Sequence, residues 1–456
     1  MAETIAAVAT PAGEGSIGVI RISGDHAVEI AARVFCASSG RPLTGARGYT
    51  ALHGMVRRPD TGEAVDEAIA LVFRAPRSYT GEDVVELSCH GGQAVTRGVL
   101  RNVLDAGAVP AQAGEFTKRA FLNGKMDLAQ AESVMQIISA QGQAAAQAAL
   151  GTLGGRLSRD IDAIREQLLA LSAHLAAFAD YPEDEIPELR EDQVERTLSQ
   201  VDGALETLLR RFDTGKLIRE GVATVIAGRP NVGKSALMNL LSGEERSIVT
   251  DIAGTTRDIV EETIQVAGVT LRLADTAGLR DTADPVERIG VDRARGRLEA
   301  AQLILAVFDR SRALDEEDYR LLDFCAGRTA VAVVNKSDLD AAIDLAPIRE
   351  RMPLCVEICA RDGTGAEDLE RAVGQALGTA GFDTGAPLLI SDRQRDCCIR
   401  ARTAVREALD ALAAGVTLDA VTVCTQDALA ALLELTGERA GEAVVEEVFS
   451  KFCVGK

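Results

Sequence analysis

Tryptophan is absent from this chain and aromatic residues make up only 3 % of it, so base-stacking platforms for single-stranded nucleic acid are not expected. Histidine is scarce, with four scattered residues, and the nine cysteines contain no C-x-x-C spacing; Cys397 and Cys398 are the only adjacent pair. A zinc site is therefore not indicated, and an odd number of thiols fits reduced, mostly buried cysteines in a reducing compartment. Positive charge is in deficit, 49 Lys and Arg against 69 Asp and Glu, for a net charge of −20. Nucleic-acid clamps run on clustered Lys and Arg, so a basic partner is expected to carry much of any RNA contact. No apolar run is long enough to span a bilayer, and the N-terminus lacks the charged-then-apolar layout of a signal peptide. The expected location is cytoplasmic, with no membrane contact.

What is present is 456 residues, 47 % of them apolar, enough for roughly two to four domains with packed cores. Residues 1–119 read as mixed α/β: short β-rich runs such as Ile17–Ile22 and Ala68–Phe73 alternate with glycine turns and helical stretches. From about 120 to 219 the sequence turns Ala-, Leu-, Gln- and Glu-rich with helical periodicity, as in Leu128–Leu150 and Leu157–Phe178. An acidic, proline-marked break, Asp180–Pro187, interrupts it. Residues 220–377 are again α/β, and 378–456 return to the helical pattern. Helical sequence on both sides of an α/β segment predicts one discontinuous helical domain with the α/β domain inserted; two independent helical domains are the alternative.

The inserted segment carries an ordered set of motifs. Gly228-Arg-Pro-Asn-Val-Gly-Lys-Ser235 follows the apolar run Val222–Ala227 and matches the phosphate-binding loop pattern. Gly228 and Gly233 let the backbone curl its N–H groups around phosphate oxygens. Lys234 supplies a point charge to the terminal phosphates, the Ser235 hydroxyl a magnesium ligand. The helix that begins there turns its positive end toward the anion. Asp275-Thr-Ala-Gly278 follows the run Val269–Ala274, where the carboxylate holds the metal through water. Asn335-Lys-Ser-Asp338 follows Ala330–Val334. The Asp338 carboxylate accepts from guanine N1–H and N2–H₂, a donor pair that adenine lacks. The expected contacts of a guanine nucleotide are Asn231, Val232, Gly233, Lys234, Ser235 and Ala236; Thr250, Asp251, Ile252, Ala253, Gly254, Thr255 and Thr256; Asp275, Thr276, Ala277 and Gly278; Asn335, Lys336 and Asp338; and Cys359, Ala360 and Arg361.

The hydrolytic apparatus departs from the Ras pattern. Leu279 stands where a water-orienting Gln is usual. Glu287, in the charged segment that follows, is the candidate for orienting water through a bridging water, with a solvated switch charge as the other reading. Arg257 and Arg280 are the candidate arginine fingers. Asn231, together with Thr250, Ile252 and Thr255 of a long first switch, forms a candidate potassium site whose charge stands in for an arginine finger, an effect of roughly 10³–10⁵ in rate. Thr256 is the second expected magnesium ligand. Cys89-His90 reads either as a thiolate–imidazole pair or as a structural turn at a strand end.

Further motifs lie outside the inserted segment: Gly15–Gly24, Tyr79–Glu86, Gly114–Lys125 and the terminal Phe452-Cys-Val-Gly-Lys456. With Gly254–Asp258 and Asp275–Leu279, they make the chain resemble the MnmE (TrmE) family of tRNA-modification GTPases over nearly its full length. The resemblance implies an N-terminal domain like folate-dependent aminomethyltransferases that also forms a homodimer. It implies a flavin-containing MnmG-like partner in a heterotetramer, with the flavin on the partner only. The reaction implied is addition of an aminomethyl or carboxymethylaminomethyl group to C5 of the tRNA wobble uridine. The carbon would come from a tetrahydrofolate derivative, 5-formyl or 5,10-methylene, and GTP hydrolysis would be stimulated by potassium. By motif, Arg21, Glu86, Lys125 and Lys456 match the folate-contacting positions, and Cys453 is a possible nucleophilic thiol or a packed turn residue. The chain departs from the pattern at Cys359, where Ser is usual, and at Val232, where Ala is more frequent. A GTP-driven ribosome-assembly switch of the Era/Der type is the contrasting reading; it would be favoured by an attached basic RNA-binding module, which this acidic chain does not show.

Overall fold

The computed structural model describes residues 3–11, 13–180, 190–243, 262–273, 299–380, 383 and 385–456. The chain separates into two compact units. One comprises residues 1–135, 158–199 and 396–456; the other comprises 136–157 and 200–395.

The first unit is built on a seven-stranded sheet in the order β3-β4-β5-β6-β2-β1-β7. Its strands are β1 (Ile5–Val8), β2 (Ile17–Ser23), β3 (Phe35–Ala37), β4 (Thr50–Arg57), β5 (Ala64–Phe73), β6 (Val84–His90) and β7 (Val109–Pro110). All neighbours are antiparallel except β1 and β7. Alternation along each strand sends successive side chains to opposite faces. Ile20 and Ile22 of β2, Val85 and Leu87 of β6, and Ala68, Ala70 and Val72 of β5 form one buried layer. Helices α1 (Ala27–Val34) and α2 (Gln93–Asp105) cover that layer with Val28, Ala31, Val99 and Val103. Arg21 and Glu86 are out of phase with it and therefore face the other side. There Ile5, Ala7 and Phe116 are buried, the last from α3 (Glu115–Leu122), with Tyr79 packed against them.

The helical sequence forms α4 (Leu128–Ser139), α5 (Gln143–Leu153), α6 (Arg156–Asp180) and α7 (Glu191–Glu220). The expected helical run Leu128–Leu150 is two helices. The chain breaks at 140–142, where Gly142 is extended (φ −152°) as the N-cap of α5 and Gln141 O accepts from Gln265 Nε2 at 2.9 Å. The run Leu157–Phe178 falls within α6, and its buried residues Leu157, Ile161, Ile164, Leu168, Leu171 and Leu175 recur at three and four, one stripe of a helix.

The second unit carries a six-stranded sheet in the order β13-β12-β11-β8-β10-β9: β8 (Val222–Ala227), β9 (Glu262–Val266), β10 (Val269–Leu273), β11 (Leu303–Asp309), β12 (Ala330–Asn335) and β13 (Cys355–Glu357). Every pairing is parallel except β9 with β10. Strands β11 and β12 are buried at every residue, as central parallel strands covered on both faces must be. Helices α8 (Lys234–Ser242), α9 (Glu316–Cys325), α10 (Ala346–Arg351) and α11 (Ala366–Ala376) connect the strands. Leu237, Leu241, Leu369 and Val373 pack in the core of one face, Leu322 and Ile348 in the other. The chain ends with α12 (Asp392–Ala413), α13 (Leu418–Thr436) and α14 (Glu442–Ser450).

Candidate functional site

In an open parallel sheet, ligands bind beyond the carboxyl ends of the strands, and the loops leaving β8, β12 and β13 hold predicted motifs. The loop after β8 is tightly wound. Gly228 (φ +153°), Asn231 (φ +65°) and Gly233 (φ +98°) adopt positive φ. A Cβ on Gly233 would sit 2.1 Å from Asn335 Nδ2, and one on Gly228 2.4 Å from Val307 O, so both glycines are required sterically as well as conformationally. Gly233 caps α8, and the Leu237 N–H returns to its carbonyl at 2.9 Å. The first turn of α8 therefore presents Ser235, exposed, and Ala236 at the loop. Val232 is buried. Lys234 Nζ donates to Gly228 O at 2.8 Å and Arg229 O at 2.7 Å, which places its positive charge across the loop.

Asn335, the last residue of β12, is 3 % exposed and joins loops far apart in sequence. Its Nδ2 donates to Val232 O at 2.9 Å, and its Oδ1 accepts from the Ala360 N–H at 3.0 Å. The Ala360 N–H is thus already hydrogen-bonded to Asn335. Lys336 (φ +65°) donates to Asn231 O at 2.8 Å and to Asp309 at 2.6 Å. Asp338 accepts from the Cys359 thiol at 3.4 Å and pairs with Arg361 at 3.3 Å. The thiol occupies the role of the expected hydroxyl. Arg361 is itself 81 % exposed, so that ion pair contributes little by itself. The described residues of the nucleotide set, Asn231–Ala236, Asn335, Lys336, Asp338 and Cys359–Arg361, thus come together. Thr250, Asp251, Ile252, Ala253, Gly254, Thr255, Thr256, Arg257, Asp275, Thr276, Ala277, Gly278, Leu279, Arg280 and Glu287 lie outside the described residues.

Sequence reasoning missed Asp309. It ends β11 directly opposite Asn335 and accepts from Lys336 Nζ, Ser311 N, Ser311 Oγ and Arg312 Nε. Burial pushes its carboxyl upward, but those donors outweigh it and hold the pKa down at about 2. The available signal was a lone carboxylate closing an otherwise apolar central strand.

In the first unit, Arg21 and Glu86 are register partners on β2 and β6. Arg21 Nε and Nη2 both meet Glu86 Oε1 at 2.8 Å, and the guanidinium lies 5.5 Å from the Tyr79 ring centre and 5.6 Å from that of Phe116. Arg21 Nη1 also donates to Gly455 O at 3.3 Å. The C-terminal segment reaches this place because Val454 pairs with Ala113 and Gly455 takes φ +100°, where a Cβ would stand 2.4 Å from Val8 O. Lys456 is brought beside the pair: burial and the Arg21 charge lower its pKa, and Glu86 partly restores it. Arg21, Glu86 and Lys456 thus form one cluster. Lys125 donates to Pro76 O at 3.0 Å in a cleft of about 600 Å³ whose lining includes Asp25, Glu82, Asp83 and Asn123. Cys453 is exposed, and its carbonyl accepts from the Gly114 N–H at 3.4 Å. Cys89 and His90 do not pair. The Cys89 thiol is buried against Gly18 O and pushed up to about 11 by burial, whereas His90 is bound to Asp66 at 2.8 Å.

A parallel sheet with a glycine phosphate loop before its first helix, and an Asn-Lys-x-Asp loop tied to it, defines a P-loop GTPase. Two family models match the chain: the GTP-binding protein TrmE N-terminus over residues 4–125 and the MnmE helical domain over residues 128–453. A curated protein of Symbiobacterium thermophilum, "tRNA modification GTPase MnmE", is 46 % identical over 100 % of this chain and 99 % of its own length. One of the same name from Heliobacterium modesticaldum is 44 % identical over the same shares. Among solved structures, the G domain of the T. maritima FeoB iron transporter is 25 % identical, covering 34 % of this chain and 98 % of its own, with a TM-score of 0.25, too low to bear on the fold. The chain belongs to the MnmE family.

Proposed function

We propose that the chain hydrolyses GTP as part of tRNA wobble-uridine modification, at C5, using a one-carbon unit carried on tetrahydrofolate. The observation that carries this reading is the Asn335 bridge between the phosphate loop and the Cys359–Arg361 loop, in a chain whose full-length relatives are named tRNA modification GTPases. The proposed organisation is a folate-binding and dimerising domain over 1–119, a discontinuous helical domain over 120–219 and 378–456, and an inserted GTPase domain over 220–377.

Ser235 fits a magnesium ligand because the first turn of α8 exposes it at the loop; Thr256 would be the second, and the ion would neutralise charge on the phosphates. Lys234 meets the terminal phosphates by exchanging its loop carbonyls for phosphate oxygens. Asn231, Thr250, Ile252 and Thr255 would hold potassium, and Glu287 orients the attacking water. Arg21, Glu86 and Lys456 fit a folate. Nε and Nη2 of Arg21 both fall on Oε1 of Glu86, which leaves Oε2 to accept from a pterin amide or amino group. Lys125 is proposed to reach the same ligand from its cleft. Cys453 is the candidate thiol of the carbon transfer. An MnmG-like flavoprotein completes the complex, and the acidic balance of this chain supports assigning much of the tRNA contact to that partner. The proposed location is the cytoplasm.

The test is GTP turnover by the purified chain in matched potassium and sodium chloride, with Asn231→Ala as control. Strong potassium stimulation that disappears in the variant is the expected result. Equal rates in both salts would remove the cation mechanism while leaving GTP binding in place.

A further inference from the structure

Asp309 is 6 % exposed and closes a strand whose every residue is buried. A carboxylate in that position is costly unless donors meet it. The shortest contact made to it is from the Lys336 ammonium, at 2.6 Å, and the same ammonium donates to Asn231 O at 2.8 Å. Lys336 and Asn231 both stand at φ +65°, a left-handed conformation that Asn adopts fairly readily but that Lys holds only when its surroundings enforce it. One ammonium therefore joins two such residues, one in the loop that reads the base and one in the loop that holds the phosphates. The ammonium is itself aimed by a carboxylate that belongs to neither motif.

We infer that Asp309 is a positioning residue for nucleotide retention: it orients Lys336, which ties the base-reading loop to the phosphate loop at Asn231 and keeps both halves of the nucleotide site in register. This rests on the guanine-nucleotide reading of the site and goes beyond it by assigning retention to a side chain outside every motif. Asn335 supplies a second tie, to Val232 O at 2.9 Å, so loss of Asp309 loosens the site without dissolving it.

The experiment is stopped-flow dissociation of N-methylanthraniloyl-GDP from the full chain. Asp309→Asn keeps an acceptor for Ser311 but removes the charge that aims the ammonium. Dissociation is expected to accelerate roughly ten-fold, the scale of a charged hydrogen bond. Lys336→Met is expected to accelerate it as well, and adding Asp309→Asn to Lys336→Met to change little more, because the carboxylate acts through the lysine. Asp309→Ser, taken through the same cycle, covers the case in which the Asn variant does not fold. Unchanged dissociation in a folded Asp309 variant, or effects that multiply fully in the double variant, would overturn the inference alone. Failure of the unmodified chain to retain labelled GDP would sink the nucleotide reading with it.

Discussion

Cys359 departs from the family pattern at a position where a hydroxyl is usual. At 2 % exposure its thiol points at Asp338 Oδ1 from 3.4 Å. A thiol is a weak donor, so the guanine-reading carboxylate is aligned less firmly than a hydroxyl would align it. Cys359→Ser is expected to tighten GTP binding by roughly 2- to 10-fold, the range of one neutral hydrogen bond. Cys359→Ala is expected to weaken it by a similar factor and to lower the preference for GTP over ATP. Titration of fluorescent GTP and ATP analogues reads both; a preference untouched by either substitution would show that the thiol does not align Asp338. The position of Cys359 was legible from the motif, but its partner was not, because the thiol meets a side chain 21 residues away that only the packing of β13 beside β12 brings near.

Strands β2 and β6 show what an element contributes beyond its residues. Their pairing sets Ile20 and Ile22 against Leu87 and Val85, and Arg21 against Glu86. The two-residue period then sends the apolar set under α1 and α2 and the ion pair to the opposite face. A slip of one residue would bury the charges instead. Glu86→Gln preserves shape and register while removing the charge that meets Arg21. Its expected effect is a clear fall in melting temperature, because the largely buried Arg21 charge loses its counter-charge, with roughly ten-fold weaker binding of 5-formyltetrahydrofolate. Ligand fluorescence and a thermal melt separate the two; unaltered affinity would detach Glu86 from the folate site. The alternation was visible in the sequence. The convergence of Lys456 on the pair was not derivable from pattern, since it depends on Gly455 passing within contact of Val8 O.

Over the whole molecule, the net charge of −20 works against direct nucleic-acid binding. The chain by itself is expected to bind tRNA no more tightly than a typical non-specific complex, roughly 10⁻⁴–10⁻⁶ M near physiological salt. Anisotropy of labelled tRNA, measured across a salt series, checks this. Nanomolar binding with a steep salt dependence would mean that basic residues of this chain make a clamp that the composition hides.

The phosphate-loop and guanine motifs were readable because their chemistry is local: consecutive backbone N–H groups, a helix start and a short Asn-Lys-x-Asp loop need only a strand before them. The helical character of the flanking segments was readable for the same reason, from the spacing of leucines along α6. What tertiary structure alone decided are the contacts between segments distant in the chain. The break at Gly142 follows from Gln265 approaching it. The contact of Lys125 with Pro76 O joins residues 49 apart in the chain. Asp309 matters because β11 pairs with β12, an adjacency that the order of residues does not encode locally. Periodicity and motif spacing report forces between neighbours in sequence; the cost of burying a carboxylate, and the donors that offset it, exist only once the sheet has formed.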